Sequence, residues 1–263
     1  MVGRSPRNRL PRGVVLDTDG VLLDSARLHA AAWKTAFDAC LDELAPDSGT
    51  RSRGATQPPF DADAEYRRLV DGRSRYDGAR AFLASRGLRL PPGRPDDPPG
   101  CGTVWAVAAR KERAFQDALR AEGVVAFADT EPALTALHRD HVPCAAVSAS
   151  RHARTLLAAA GLGRFLAVVV DGEDTARLGL AGKPDPALFL HAAGLLGIRP
   201  QDSVLVEDAV AGVTAARRGN FGLVAGLDRT PDRRNTSRLR EEGADTVAPD
   251  LVALVEQVWG ARV

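Results

Sequence analysis

Two acidic side chains stand two residues apart in the segment Asp17-Thr18-Asp19-Gly20-Val21, directly after a short apolar run. A carboxylate attacks a phosphoryl group only when nearby positive charge offsets the repulsion between the two anions, so such a site requires a divalent cation and a basic side chain. The second carboxylate would then donate and accept protons. The alternative is an Asp-Gly turn in which Asp19 accepts backbone hydrogen bonds. The residue types in other segments of the chain are needed to distinguish these two interpretations.

Further segments carry the side chains that phosphoryl chemistry requires. Ser148 and Ser150 follow an apolar run, where hydroxyl and backbone N–H groups bind phosphate oxygens, although a serine there is also a common helix N-cap. Lys183 lies in the stiff sequence Gly-Lys-Pro-Asp-Pro, although a single lysine is usually solvated. Glu207 and Asp208 supply the oxygen ligands that Mg²⁺ prefers, although acidic residues also stabilise helix N-termini. The combination favours a phosphoryl-transfer site.

These residues fall at the ends of apolar runs that have the length of buried strands, and alanine-rich segments of helical length separate the runs. This alternation predicts βαβ units, a mainly parallel sheet and helices on both faces. The predicted strands cover residues 13–17, 144–148, 166–170 and 203–207, and the predicted helices cover residues 131–141, 151–160, 186–197 and 209–218. Because ligands bind beyond the carboxyl ends of parallel strands, we expect the polar side chains at these ends to converge.

A helical insert interrupts this pattern after the first strand. An apolar face at helical spacing is formed by Trp33, Phe37, Cys40, Leu41 and Leu44. Loop-like segments rich in proline, glycine and charge follow at residues 46–59 and 91–102. The sequence therefore predicts an α/β fold in which residues 1–26 and 116–263 form the catalytic core, and residues 27–115 form a small inserted helical cap domain.

The composition is that of an ordinary globular chain. Of 263 residues, 44% are hydrophobic and 26% are charged, and the net charge of +1 gives no electrostatic reason to expect nucleic-acid or membrane binding. Residues 1–12 are basic but precede an apolar run that is too short for a signal-peptide core or a spanning helix. We expect a cytoplasmic location, a monomeric chain, and neither a nucleic-acid nor a membrane partner. Cys40, Cys101 and Cys144 lack CxxC spacing and are expected to be reduced thiols.

The order of the segments DTDGV, SAS, GKPDP and VEDAVAG resembles the motifs of the haloacid dehalogenase superfamily across residues 13–226. The resemblance implies a Rossmann-like parallel sheet core, with Asp17 as the nucleophile that forms an aspartyl-phosphate and Asp19 as the general acid/base. It also implies that Ser148 and Lys183 hold the phosphate. The implied Mg²⁺ ligands are Asp17, the Asp19 carbonyl, Glu207 and Asp208. Asp19 argues against the pump-type ATPases of this superfamily, which have threonine there, and Asp17 with Asp19 argues against the dehalogenases.

A longer run is more specific, because the residues from Asp17 to Ser25, with His29 and Trp33, are similar to the β-phosphoglucomutase subfamily. This resemblance implies that His29 assists the general acid/base, although a single histidine on a helix is more commonly a surface or core residue. It also implies that Trp33 contacts the substrate, although its helical spacing favours a core position.

The predicted cap resembles the same subfamily at its substrate-phosphate loop. Gly72 and Arg75 match that loop, and the resemblance implies that Arg75 grips the distal phosphate as a bidentate clamp. Without the resemblance, Arg75 would be ordinary surface charge. Ser150 and Lys111 complete the implied substrate contacts.

Two positions depart from the subfamily pattern. His152 replaces the asparagine that usually follows Ser-x-Ser-x, and Glu112 replaces an asparagine that often follows the cap lysine. A glutamate near a phosphate is unfavourable unless it turns away or pairs with Arg110 or Arg113. These departures are compatible with a substrate other than glucose phosphate.

Together these observations predict Mg²⁺-dependent phosphoryl transfer through Asp17 on a small phosphorylated sugar. The predicted reaction converts β-D-glucose 1-phosphate to glucose 6-phosphate through a bisphosphate intermediate. The alternative is a sugar-phosphate phosphatase, in which water rather than sugar attacks the phospho-enzyme. A third class, an inactive phosphosugar-binding sensor, is disfavoured because Asp17, Asp19, Lys183 and Asp208 are all present.

Overall fold

The computed structural model describes residues 10–44, 57–230 and 232–260. The chain divides into two units, the first made of Met1–Asp24 with Val125–Val263 and the second of Ser25–Val124. Most of the basic segment at residues 1–12 and of the loop predicted at residues 46–59 lies outside the described residues. The domain border predicted after residue 115 falls within a helix that continues to Glu122.

A parallel sheet forms the centre of the first unit. Its strands are β1 (Gly13–Asp17), β2 (Cys144–Val147), β3 (Val168–Val170), β4 (Ser203–Glu207), β5 (Leu223–Leu227) and β6 (Thr246–Ala248). Their order in the sheet is β3-β2-β1-β4-β5-β6, and every neighbouring pair is parallel. The predicted α/β fold with a Rossmann-like sheet is confirmed, and the strand order reverses between β1 and β4, where ligands bind in such sheets.

The helices follow the alternation that the sequence predicts. They are α1 (Ala26–Glu43), α2 (Arg75–Ser85), α3 (Val104–Glu122), α4 (Thr130–Arg139), α5 (Ala153–Ala159), α6 (Gly172–Leu178), α7 (Ala187–Leu195), α8 (Val210–Arg218), α9 (Thr236–Glu241) and α10 (Leu251–Trp259). In the first unit, Phe189 of α7 and Val213 of α8 pack with Val15 and Leu205 of the central strands. Val14 and Leu16, whose side chains alternate with that of Val15 and so point to the opposite face, are also buried. Both faces of the sheet are therefore covered, which explains why the central strands are continuous apolar runs. None of the helices in the described ranges combines the length and apolar character needed to cross a bilayer.

Helices α1 to α3 and a short π-helix, Tyr66–Val70, form the second unit. Trp33, Phe37 and Cys40 of α1 are buried in its core, as their spacing predicts, while Leu41 and Leu44 are partly buried against it. Aromatic rings dominate this core. Phe37 lies between two of them, with ring centroids 4.6 Å from Trp33 and 3.8 Å from Phe82.

A disulfide bond joins Cys40 of α1 to Cys101, which precedes α3, with Cα atoms 5.3 Å apart. The prediction of reduced thiols is therefore wrong for this pair. It is confirmed for Cys144, a free and buried cysteine whose thiol pKa is raised by burial to about 12. The pair was missed because its cysteines are 61 residues apart and the helical spacing of Cys40 indicates only that it faces a core.

Candidate active site

Two neighbouring strands place buried carboxylates at the carboxyl edge of the sheet. Asp17 ends β1 and Glu207 ends β4, one position beyond the paired residues Leu16 and Val206. Asp17 is 4% exposed and Glu207 is 0% exposed. Asp208 follows Glu207, and one carboxylate oxygen from each of the three acidic residues lies within 4.8 Å of the others. Acidic groups this close repel one another unless positive charge compensates them.

Lys183 supplies positive charge to this cluster. Its buried ammonium donates hydrogen bonds to Asp17 Oδ1 and Glu207 Oε1, so the alternative of a solvated lysine does not describe it. Burial alone would lower the pKa of Lys183, but the two carboxylates outweigh burial and hold this pKa above its ordinary value. Burial raises the pKa of Asp17, an effect that Lys183 opposes and Glu207 strengthens. The three side chains therefore form one buried, charge-coupled group.

Two glycines leave room for the acidic side chains. Gly20 has a φ of +82°, and a Cβ atom at this position would lie 1.8 Å from Asp208 Oδ2. A Cβ atom at Gly212 would lie 1.8 Å from Glu207 Oε1. Glu207 Oε2 accepts a hydrogen bond from the N–H of Ala209, the N-cap residue of α8, at 2.8 Å. Glu207 thus accepts a backbone hydrogen bond at the start of α8 with one oxygen and pairs with Lys183 through the other.

The Asp19 carboxylate contacts a hydroxyl group from the loop that follows β2. The Thr18 carbonyl accepts the Leu22 N–H at 3.0 Å, so the chain turns directly after Asp19. Asp19 Oδ2 accepts a hydrogen bond from Ser148 Oγ at 2.8 Å. The Ser150 N–H in turn donates to Ser148 Oγ at 2.9 Å. The turn and the side-chain contact therefore coexist, and Ser148 connects Asp19 to the loop after β2.

That loop also positions the two other residues predicted there. The His152 N–H donates to Ser150 Oγ at 3.2 Å, and His152 is the N-cap residue of α5. Ser150 is thus engaged by a local turn through its hydroxyl oxygen, and its hydroxyl hydrogen can still be donated to an anion.

Arg229 fixes the turn that follows Asp19, and it was not among the site residues predicted from the sequence. Its guanidinium donates to the carbonyls of Gly20 at 3.0 Å and Val21 at 2.8 Å, and to both carboxylate oxygens of Asp129 at 2.8 and 3.0 Å. It also lies 3.9 Å from the ring centroid of Phe127. The planar fork of arginine can satisfy these partners at once, whereas the ammonium of lysine is a compact point charge. Arg229 is therefore a positioning residue for the turn.

Replacing Arg229 with lysine is expected to lower kcat by about tenfold to 100-fold with a smaller change in KM, because small misplacements of a reacting group carry this penalty. Steady-state kinetics with a sugar phosphate, together with thermal unfolding, would measure the effect. Arg234→Lys is the matched control, since Arg234 belongs to the same unit and its exposed side chain pairs with Asp232. A folded Arg229→Lys variant with unchanged kcat would contradict the positioning role.

The second unit brings together His29, Lys111 and Trp33. Lys111 is 5% exposed, and its Nζ atom lies 2.8 Å from His29 Nδ1 and 5.6 Å from the ring centroid of Trp33. The His29 ring stacks on Phe115 with centroids 4.1 Å apart. A protonated Lys111 requires His29 Nδ1 to accept, which leaves the ring proton on Nε2. Trp33 is 4% exposed, so the core alternative describes its place in this unit.

The predicted phosphate loop leads into α2. Gly72 has a φ of +68°, which favours glycine, and Arg75 is the first residue of the helix. Arg75 Nη1 donates to Glu112 Oε2 of α3 at 3.0 Å. Glu112 therefore has a partner on another helix, besides Arg110 and Arg113, which the sequence offered as alternatives. Arg110 pairs with Glu43 at 2.6 Å.

The fold and the carboxylate–lysine cluster define an α/β enzyme with its reacting groups at the carboxyl edge of a parallel sheet. The sequence profile of the haloacid dehalogenase-like hydrolases matches residues 11–220. The chain belongs to this family of phosphotransferases and hydrolases.

Individual relatives show which members of this family the chain is similar to. The chain is 42% identical over 244 residues to a β-phosphoglucomutase of Mycobacterium bovis, covering 93% of this chain and 91% of that protein. Among solved structures it resembles a hydrolase from Pseudomonas syringae, with a TM-score of 0.73 at 20% identity over 95% of this chain and 98% of that one. It also resembles a β-phosphoglucomutase from Clostridium difficile, with a TM-score of 0.69 at 19% identity over 92% of each chain. At such identities the structural likeness describes the fold alone.

Proposed function

We propose that this protein is a β-phosphoglucomutase that converts β-D-glucose 1-phosphate to glucose 6-phosphate through a bisphosphate intermediate. The observation that carries the proposal is the different pairing of two neighbouring carboxylates. Asp17 pairs with the ammonium of Lys183, whereas Asp19 accepts a neutral hydroxyl hydrogen bond from Ser148. The M. bovis relative, at 42% identity over nearly the whole chain, supports the choice of substrate.

In the proposed reaction, Asp17 begins the cycle carrying a phosphoryl group. Asp19 removes the proton from the 6-hydroxyl group of β-glucose 1-phosphate, whose oxygen takes the phosphoryl group as its bond to Asp17 breaks, and the bisphosphate forms. In the second half, an Asp17 carboxylate oxygen attacks the phosphorus at C1 of the bisphosphate, the bond between this phosphorus and the sugar oxygen breaks, and Asp19 gives its proton to the departing oxygen, which leaves glucose 6-phosphate and phosphorylated Asp17. Lys183 and the hydroxyl groups of Ser148 and Ser150 hold the phosphoryl oxygens. Over the whole cycle Asp19 removes one proton and gives one back, so it ends in the protonation state in which it started.

The donor set fits Mg²⁺, which takes oxygen ligands and usually one or two carboxylates. We assign the ion to Asp17, Glu207, Asp208 and the Asp19 carbonyl, and the mutual approach of the three carboxylates within 4.8 Å supports this assignment. Bound there, Mg²⁺ would reduce the repulsion between Asp17 and an anionic phosphate. Lys183 donates hydrogen bonds to both Asp17 and Glu207. Its positive charge therefore offsets part of the negative charge of the two strand-end carboxylates and keeps them in place.

A sugar-phosphate phosphatase is the second candidate. The ion pair between Arg75 and Glu112 favours it, because an arginine neutralised by a carboxylate is less able to hold a second phosphate. In that reaction, water rather than a sugar hydroxyl would attack the phosphorylated Asp17.

Isomerisation and phosphate release, followed together, distinguish the two candidates. We expect the wild-type protein with Mg²⁺ and β-glucose 1-phosphate to form glucose 6-phosphate faster than inorganic phosphate. Arg75→Ala should raise the ratio of hydrolysis to isomerisation by about tenfold or more, because it removes a charged hydrogen-bond donor from the distal phosphate. Arg80→Ala is the control, since Arg80 lies on the same helix and is exposed.

Release of free phosphate from several sugar phosphates, without isomer formation even when glucose 1,6-bisphosphate is supplied, would overturn the mutase proposal in favour of the phosphatase.

We place this activity in the cytoplasm, because an anionic sugar phosphate does not cross an apolar bilayer core unaided. The disulfide between Cys40 and Cys101 is unusual for that compartment. Detection of the oxidised pair in protein quenched directly from cells would test whether the bond exists there.

A further inference from the structure

The ion pair between Arg75 and Glu112 occupies the guanidinium that the proposed function assigns to the distal phosphate. Arg75 Nη1 donates to Glu112 Oε2 at 3.0 Å, and the two side chains are 20% and 19% exposed. Glu112 Oε1 accepts a second hydrogen bond from Gln116 Nε2 at 2.9 Å. Both carboxylate oxygens are thus held, and limited exposure reduces the screening of the pair by water and salt.

Two neighbouring basic side chains on α3 have partners elsewhere. Arg110 pairs with Glu43, and Lys111 contacts His29. The hydrogen bond at 3.0 Å directs the charge of Glu112 at Arg75. The guanidinium carbon of Arg75 also lies 5.9 Å from the ring centroid of Trp105. The Trp105 ring attracts the face of the guanidinium, so the N–H groups at its edge can exchange one anionic partner for another while the group stays in place.

We propose that Glu112 is a specificity-determining residue that competes with the distal phosphate of the substrate for Arg75. This inference rests on the proposed function, in which Arg75 holds that phosphate. A phosphate reaching Arg75 must displace the Glu112 carboxylate or bind beside it, and the second arrangement places like charges together. The Glu112 carboxylate therefore weakens the binding of ligands that present a second phosphate. This repulsion contributes to the choice of substrate.

Competition predicts tighter binding when the charge of Glu112 is removed. Glu112→Gln keeps the size of the side chain and the contact with Gln116 but removes the negative charge. We expect the variant to lower both the KM for β-glucose 1-phosphate and the dissociation constant of glucose 1,6-bisphosphate by about three- to tenfold, with a smaller effect on kcat.

Two further variants make the test specific. Glu122→Gln is the matched control, because Glu122 ends the same helix and pairs with the exposed Arg27. The double variant Arg75→Ala with Glu112→Gln closes a double-mutant cycle with the single variants. If Glu112 acts through Arg75, removal of its charge should leave KM unchanged once Arg75 is absent, a result that a general change in stability or surface charge would not produce.

The same measurements contain the results that would overturn the inference. A higher KM in Glu112→Gln would mean that Glu112 aligns Arg75 for the phosphate, and an unchanged KM would mean that the two anions do not compete. Equilibrium binding of glucose 1,6-bisphosphate to the wild-type protein and to Glu112→Gln, measured by calorimetry, tests the competition without turnover. Failure of the proposed function would appear separately, as absence of isomer formation by the wild-type protein.

Discussion

Asp17→Asn is expected to reduce Mg²⁺-dependent turnover of β-glucose 1-phosphate by a factor on the order of 10⁴ or more while the protein remains folded, as for other removed nucleophiles. An amide is a poor nucleophile and a poor ligand for Mg²⁺. Steady-state turnover measured alongside thermal unfolding would establish both parts of the result.

The structure explains why this variant should fold. Asp17→Asn removes a negative charge but leaves Lys183 paired with Glu207, so the buried ammonium keeps a compensating carboxylate. Removing Lys183 would be more harmful, because it would leave Asp17 and Glu207 buried together without their shared cation. Asp17→Asn is therefore the cleaner probe of chemistry.

Asp24→Asn provides a matched control, because Asp24 is an exposed carboxylate in the same segment of the chain. It should retain wild-type turnover. A crystal structure with aluminium fluoride or beryllium fluoride and Mg²⁺ should show density joined to Asp17. Substantial turnover by the asparagine variant, or a fluoride complex bound at another side chain, would contradict the assignment of the nucleophile.

The ends of the central strands were predictable from the sequence. The predicted bounds of β1 and β4 match the structure, because a central strand of a parallel sheet is buried on both faces and its apolar run stops where the chain leaves the sheet. The polar residues at those ends, Asp17 and Glu207, therefore had to lie side by side once β1 and β4 were neighbours. Local sequence was sufficient for this part of the candidate site.

The strands β5 and β6 on one side of the sheet were not predicted, and Arg229 was missed with them. β5 contains Gly226, which weakens the strand pattern, and a Cβ atom there would lie 3.2 Å from side-chain atoms of Leu239 and Val247. The glycine is thus explained by close packing that the sequence does not reveal. Because β5 was not recognised, nothing in the sequence indicated that Arg229, just beyond the end of this strand, lies near the turn after Asp19.

Contacts between distant segments were the other omission. Cys40 with Cys101, and Arg75 with Glu112, join residues that are 61 and 37 positions apart. Helical spacing indicates which face of a helix is buried, but it does not identify the residue on another helix that lies opposite. Both pairs depend on how α1, α2 and α3 pack in the second unit. Of these four residues, motif resemblance identified only Arg75, and the structure supplied the partners in both pairs.

Asp19→Ala is expected to slow phosphoryl transfer to and from a sugar hydroxyl by about a hundred- to ten-thousand-fold, the usual range for general acid/base assistance. The substitution removes the carboxylate that accepts the Ser148 hydroxyl at 2.8 Å. It retains the backbone carbonyl that we assign to Mg²⁺, and Arg229 still holds the following turn through Gly20 and Val21. The loss of rate should therefore greatly exceed any loss of Mg²⁺ affinity.

Single-turnover measurements of transfer from phosphorylated enzyme to glucose 1-phosphate, at several Mg²⁺ concentrations, separate these two effects. Asp24→Ala is the control for loss of a carboxylate in the same segment. A reduction of the transfer step by less than about tenfold would exclude Asp19 as the general acid/base, because proton transfer would then be supplied by another group. A large rise in the Mg²⁺ concentration required, with normal transfer at saturation, would instead place the Asp19 carboxylate on the metal. Since Asp17 remains intact in this variant, its phosphorylation by a substrate with a good leaving group should persist, and this distinguishes loss of the proton donor from loss of the nucleophile.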